Sequence, residues 1–205
     1  MFTRKRILIK SLFENTDQFL NQDITVCGWI ENFRVQKNKG IAFIALNDGS
    51  YLTSLQVILD PKTDEEMKKL DTIYEDGTKG VSLQIKGVLV SSPATGQAIE
   101  LKGTELKIFG KVDASNYPIT KKHLSLEHLR KFPHLRIRTR TLSSISRIRN
   151  ACSVATHAFF QSKSFKYVHT PVLTSNDCEG AGETFNISNT LSDGDLFFSR
   201  PVNLT

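Results

Sequence analysis

The chain has 205 residues, 39% of them hydrophobic and 23% charged, enough apolar material to bury the core of one large domain or two small ones, so wholesale disorder is excluded. Its 27 Lys and Arg outnumber its 21 Asp and Glu, a formal charge of +6 that favours a polyanionic partner. No stretch approaches the roughly 20 apolar residues of a membrane span, residues 1–10 lack the apolar run and cleavage site of a secretory signal, and three scattered cysteines (Cys27, Cys152, Cys178) suit a reducing compartment better than a disulfide framework or a zinc knuckle.

Residues 1–110 read as a barrel of short strands. Ile24, Val26, Gly28 and Ile30 alternate with Thr25, Cys27, Trp29 and Glu31; Ala42, Ile44 and Leu46 with Ile41, Phe43 and Ala45; Leu55, Val57 and Leu59 with Gln56 and Ile58; Val81, Leu83 and Ile85 with Ser82, Gln84 and Lys86. Period two marks strands with two distinct faces. Turn signals separate the runs at Lys39-Gly40, Asp48-Gly49-Ser50, Asp76-Gly77 and Ser92-Pro93-Ala94-Thr95-Gly96. Between the third and fourth runs, Met67, Leu70, Ile73 and Tyr74 keep helical spacing. Three strands, a helix and two strands is the order of a five-stranded OB-fold barrel.

Residues 111–141 form a basic joint containing Lys121, Lys122, Arg130, Lys131, Arg136, Arg138 and Arg140, with a short helix expected around Ser125 to Phe132. The joint is either a solvated linker or a hinge whose cations neutralise phosphate. Its histidines have no ligand spacing, so metal is not expected there.

From residue 142 onward a third block begins with a long helix. Leu142, Ile145, Ile148, Cys152, Ala155 and Phe159 recur every three or four residues, one apolar stripe on a helix ending near Ser162 to Ser164. Phe165 to Pro171 reads as a strand closed by its proline, Phe185-Asn186-Ile187 as the start of another, and Leu196 to Phe198 and Pro201 to Thr205 as further strand starts.

Two sets of residues carry possible chemistry. With Ala42, Ile44 and Leu46 inside the barrel, Phe43 points outward, and Gln56 is likewise out of phase with Leu55 and Val57. An outward ring on an OB strand either stacks a nucleobase or packs across strands; Gln56 can hydrogen-bond a base edge, and Arg34 can add a phosphate or cation–π contact. The second set is the loop Asn176 to Glu183. Glu179 and Glu183 bracket Gly180, Ala181 and Gly182, so the loop is either an exposed acidic turn or a flap over a cation such as an ammonium group; carboxylates there repel phosphate. No catalytic nucleophile, acid–base pair or P-loop stands out.

The order of barrel, basic hinge, long helix and proline-ended strand resembles the class IIb aminoacyl-tRNA synthetases. Val26 to Ile30, Ile41 to Gly49 and Leu55-Gln56-Val57 are similar to the family's anticodon-binding barrel, Tyr117-Pro118 and His134 to Thr139 to its hinge, and the helix from Leu142 with Val168 to Pro171 to motif 1, its dimer-forming helix and strand. The segment Thr170 to Phe185 resembles the asparaginyl branch in particular. The resemblance implies a barrel followed by the start of an α+β catalytic domain with an antiparallel sheet, and an activity: asparagine and ATP with Mg²⁺ form an adenylate, and the acyl group passes to tRNA(Asn). It implies anticodon contacts from Arg34, Phe43 and Gln56, an amino-acid flap of Glu179, Gly180, Ala181, Gly182 and Glu183 with Glu179 near the α-ammonium group, and a homodimer interface at Ile145, Ile148, Cys152, Phe159 and Pro171. Motifs 2 and 3 of the family are absent from these 205 residues, so the chain reads as the N-terminal part of such an enzyme, inactive alone and binding neither ATP nor Mg²⁺ by itself. An aspartyl-tRNA synthetase fragment and a non-catalytic RNA-binding barrel are the alternatives. A cytoplasmic location without membrane contact is expected, an organellar matrix being the second choice.

Overall fold

A computed structural model of the chain describes residues 6–36, 38, 40–120, 124–176, 184–187 and 202–204. The chain divides into two compact units, Met1–Arg149 and Asn150–Thr205.

The first unit contains a closed five-stranded barrel. Helices α1 (Ile9–Glu14) and α2 (Thr16–Phe19) precede β1 (Asp23–Gln36), β2 (Ile41–Asn47), β3 (Leu55–Leu59), α3 (Asp64–Asp76), β4 (Ser82–Ser91) and β5 (Ile99–Gly110). Spatial order around the barrel is β1-β2-β3-β5-β4, every pairing antiparallel except β3 with β5, which run parallel and close it. This is the OB-fold barrel expected from the strand spacing, with α3 between the third and fourth strands. The alternating residues fill it: Val26, Ala42, Ile44, Leu46, Val57, Leu83 and Ile85 are fully buried.

Periodicity did not foretell the two N-terminal helices. Ile9 and Leu12 of α1 join the barrel core. The first backbone N–H groups of a helix lack intrahelical acceptors, and here a distant carboxylate supplies one: Ile9 N donates to Asp48 Oδ2 at 3.0 Å. Helix α3 is capped locally. Thr63 Oγ1 accepts from Glu66 N at 3.2 Å, and Glu66 Oε2 accepts from Lys62 N at 2.6 Å.

The first strand is longer than the alternation from Ile24 to Glu31 suggests. It continues to Gln36 through an irregularity at which Ile30 pairs with Leu46 but Asn32 with Ala45. One extra residue, Glu31, is thus inserted, and the inward phase changes from even to odd positions. Ile24, Val26 and Ile30 are buried before the bulge; Phe33 and Val35 are half-buried after it, while Asn32, Arg34 and Gln36 are exposed.

Beyond β5, α4 (Leu126–Arg130), a 3₁₀ turn (Arg136–Arg138) and the start of α5 (Arg140–Ser162) follow. Ser125 caps α4, its Oγ accepting from His128 N at 3.2 Å. In the second unit, α5 gives way to residues 165–171, which form no strand, a correction to the reading of Phe165 to Pro171. Among the described residues of this unit, pairing is confined to β6 (Leu173–Thr174) with β7 (Asn203–Leu204) and a bridge from Asn186 to Asn203. An extended, alternating sequence forms a strand only when another strand accepts its ladder hydrogen bonds, and none of the described residues does so for 165–171. Leu196 to Phe198 lie outside the described residues.

Candidate nucleic-acid interface

Two cross-strand rows lie side by side on the outer face of the barrel. Arg34 pairs with Phe43, Phe43 with Ile58, and Ile58 with Lys102, across β1, β2, β3 and β5. The neighbouring row is Asn32, Ala45, Gln56 and Glu100. The structure therefore brings Arg34, Phe43 and Gln56 onto one face. The bulge at Glu31 is what makes this so: uninterrupted alternation from Ile30 would turn Arg34 into the barrel. Phe43 is half-buried and not fully exposed, because the Arg34 guanidinium lies over its ring, Cζ 4.8 Å from the centroid. That contact orients the guanidinium and leaves its N–H edge for a further acceptor.

The face is chemically graded. Arg34 and Lys102 stand at the two ends of one row, cations on either side of an aromatic ring and an aliphatic chain. Ala45 is the small residue between Asn32 and Gln56 in the second row. Glu100 is the one buried charged residue among those described, 6% exposed, its Oε2 accepting from Ser92 Oγ at 3.0 Å. A carboxylate held this way can accept from an exocyclic amino group, as Gln56 beside it can donate or accept. Glu100, Lys102, Asn32 and Ile58 were not found by sequence reasoning. Glu100 and Lys102 alternate with buried Ile99 and Leu101, but only the parallel β3–β5 pairing puts them beside Gln56 and Ile58.

The edge of this face is built by the loop after β2. Asn47 Oδ1 accepts from Gly49 N at 2.7 Å, and Asp48 Oδ1 accepts from Ser50 N at 2.9 Å and Ser50 Oγ at 2.6 Å. Such side-chain acceptors stand in for a backbone turn. Arg147 Nη2 donates to Gly49 O at 2.6 Å, tying the loop to the N-terminal part of α5.

The other residues singled out in the sequence are placed as follows. Ile145, Ile148, Cys152 and Phe159 all lie on α5 and are exposed, as is Pro171 in the coil beyond it. No residue of α5 is buried. Glu179, Gly180, Ala181, Gly182 and Glu183 lie outside the described residues. Among the described residues no group of three or more His, Cys, Asp or Glu could hold a metal ion, and no helix is long and apolar enough to cross a membrane.

Both parts of the chain resemble known proteins. Residues 24–109 match a family described as OB-fold nucleic acid binding domain, and residues 125–203 one described as tRNA synthetases class II (D, K and N). The asparagine–tRNA ligase of Cytophaga hutchinsonii is 41% identical over 98% of this chain and 44% of its own length; that of Desulfotalea psychrophila is 44% identical over 90% of this chain and 39% of its own. The chain thus spans less than half the length of the curated relatives it matches. Among solved structures, asparaginyl-tRNA synthetase from Pyrococcus horikoshii complexed with asparaginyl-adenylate shares the fold with a TM-score of 0.72 at 18% identity, over 99% of this chain and 43% of that one. A putative aspartyl-tRNA synthetase from Leishmania major shares it with a TM-score of 0.74 at 15% identity, over 100% of this chain and 39% of that one. The chain is thus an OB-fold nucleic-acid-binding barrel followed in sequence by a class II tRNA synthetase (D, K and N) segment, and it is similar to asparagine–tRNA ligases over less than half of their length.

Proposed function

We propose that the chain is the anticodon-reading part of an asparagine–tRNA ligase together with the opening segment of its catalytic domain. The observation that carries the proposal is the Arg34–Phe43 stack with Gln56 beside it, on the outer face of a closed barrel. Phe43 stacks one unpaired anticodon base, which contributes about 1–3 kcal/mol. Gln56 and Glu100 read the Watson–Crick edges of the splayed bases, since recognition of single-stranded RNA uses those edges. Arg34 and Lys102 hold the backbone phosphates on either side. Binding at the barrel positions the tRNA, and positioning is the form of catalysis this part of the enzyme supplies.

ATP and Mg²⁺ enter the proposal as co-substrates of the whole ligase, asparagine as its amino acid, and tRNA(Asn) as its acceptor. Glu179 and residues 180–183 are proposed as the flap over asparagine, supported by the match of a carboxylate to an α-ammonium group. No step through ATP or the metal is assigned to the described residues. The whole enzyme is proposed to be a homodimer, supported by the uncovered apolar stripe of α5.

The test is binding of the tRNA(Asn) anticodon stem-loop, by filter retention at fixed salt. Phe43→Ala is expected to weaken it by about 1–3 kcal/mol. Unchanged affinity overturns the placement of the base. ATP–pyrophosphate exchange by the whole reading frame, stimulated by asparagine and not by aspartate, tests the choice of amino acid.

A further inference from the structure

A second site lies in the first unit, beyond the edge of the rows just described, with Asn47 and Gly49 of the loop after β2 in its lining. A cavity of about 310 Å³ opens between the Trp29 end of β1 and the hinge segment around the 3₁₀ turn. That size is at the lower end of what small-molecule sites occupy. Trp29 lies five residues before Arg34 on β1, about 16 Å along an extended strand, beyond the reach of a base held at Phe43.

The lining is aromatic and aliphatic with a cationic edge. Tyr51, Leu52, Tyr117 and Ile137 give the walls. The Arg138 guanidinium is stacked on Trp29, Cζ 4.4 Å from the ring centroid. Its flat face is used by the indole, while its N–H edge makes no ion pair or side-chain hydrogen bond among the described residues. Arg140 also lines the cavity, as does Lys79, whose Nζ donates to Thr120 O at 3.3 Å; the one carboxylate in the lining, Glu31, accepts from Ser54 Oγ. One wall is fixed by backbone. Gly80 has φ +96, and a methyl on it would stand 2.6 Å from the Tyr117 ring, so the phenol packs flat against bare backbone. The mouth is unusually apolar for a surface: Trp29 is 37%, Leu52 38% and Ile137 46% exposed.

We propose that this cavity binds a small planar aromatic anion, its ring lying against the aromatic and aliphatic walls and its carboxylate taken by the edge of Arg138. Charge complementarity chooses the occupant. A neutral ring would leave the Arg138 edge unanswered, and a carboxylate in the plane of a guanidinium gains two parallel hydrogen bonds.

Trp29 is the only tryptophan of the chain, so its indole N–H gives a single resonance that reports on the cavity. The 205-residue chain is titrated with 2-naphthoate and with neutral 2-naphthylmethanol. A saturable shift of that resonance by naphthoate is expected, with the neutral compound at least about tenfold weaker, the worth of a charged hydrogen bond. Arg138→Gln, and separately Ile137→Glu at the mouth, should each raise the naphthoate midpoint about fivefold or more, while Arg34→Gln leaves it unchanged. Two variants on opposite principles, one removing a cation and one adding an anion, guard against a fold defect in either; melting curves identify such a defect. The proposal is overturned if no saturable shift occurs up to millimolar naphthoate, if the neutral compound binds equally, or if neither variant weakens binding. Displacement of naphthoate by the anticodon stem-loop would also overturn it, by making the cavity part of the RNA surface.

Discussion

Gly87 and Gly103 are partners across β4 and β5, and neither has room for a methyl group. A methyl on Gly87 would stand 2.1 Å from the Lys102 carbonyl oxygen, one on Gly103 2.6 Å from Leu59 Cδ2. The obstacle differs in kind. Backbone at Lys102 cannot yield without breaking the ladder, and it carries the Lys102 side chain of the proposed RNA face; the tip of Leu59 can turn. Gly103→Ala is therefore expected to cost about 1–3 kcal/mol, the usual range for overpacking. Gly87→Ala should cost more than that and broaden or abolish the cooperative thermal transition, followed by circular dichroism. Equal melting temperatures for the two variants would contradict this ordering.

On the proposed RNA face, charge and shape should separate by salt. Arg34→Gln and Lys102→Gln are each expected to lower the slope of log K against log salt by about 0.7 to 1, one released counterion apiece. Gln56→Leu should leave that slope unchanged. It should instead reduce discrimination at a single anticodon position by about 1–3 kcal/mol, measured with stem-loops substituted base by base. A changed slope for Gln56→Leu would place its amide on a phosphate.

Much of this face was legible because strands announce their phase. Phe43 and Gln56 follow from Ala42, Ile44, Leu55 and Val57, all of which are fully buried. Arg34 did not follow in the same way. Its position depends on the one-residue insertion at Glu31, which no alternation signals, because an inserted residue looks like any other until the partner strand is known. Glu100 and Lys102 required the parallel closure of β3 on β5, a long-range pairing with no local signature. The opposite failure occurred at Phe165 to Pro171, where a local pattern was clear and none of the described residues supplies a pairing partner. The Trp29–Arg138 stack joins residues more than a hundred positions apart and was likewise invisible.

The cysteines should differ sharply in reactivity. Burial pushes the Cys27 thiol above its ordinary pKa; Arg6 pulls it down less strongly, and Asp48 adds to the rise. A raised pKa means less thiolate at any pH below it, so alkylation of Cys27 is slowed by both chemistry and access. Cys152 is exposed on α5. In a Cys178→Ser background that also carries Ile148→Asp and Phe159→Asp to leave the α5 stripe unpaired, iodoacetamide at pH 7.5 should modify Cys152 at least about tenfold faster than Cys27, read by mass spectrometry of peptides. Denaturation should erase the difference.

The apolar stripe of α5 gives the last expectation. Ile148 is 63% and Phe159 57% exposed, and with Ile145, Cys152 and Ala155 they keep three- and four-residue spacing. A continuous apolar stripe on a 23-residue helix with no buried residue is a surface awaiting cover. A twofold pairing of two such helices buries the same stripe on both copies, so one substitution acts twice. Ile148→Asp with Phe159→Asp is therefore expected to shift the chain toward monomer in sedimentation velocity at micromolar concentration. The stem-loop affinity should not move, because neither residue belongs to the RNA face. If the double variant sediments as the parent does, α5 is not the surface through which copies of the chain associate. If stem-loop affinity falls with it, the helix contributes to the RNA surface and the pairing argument fails there.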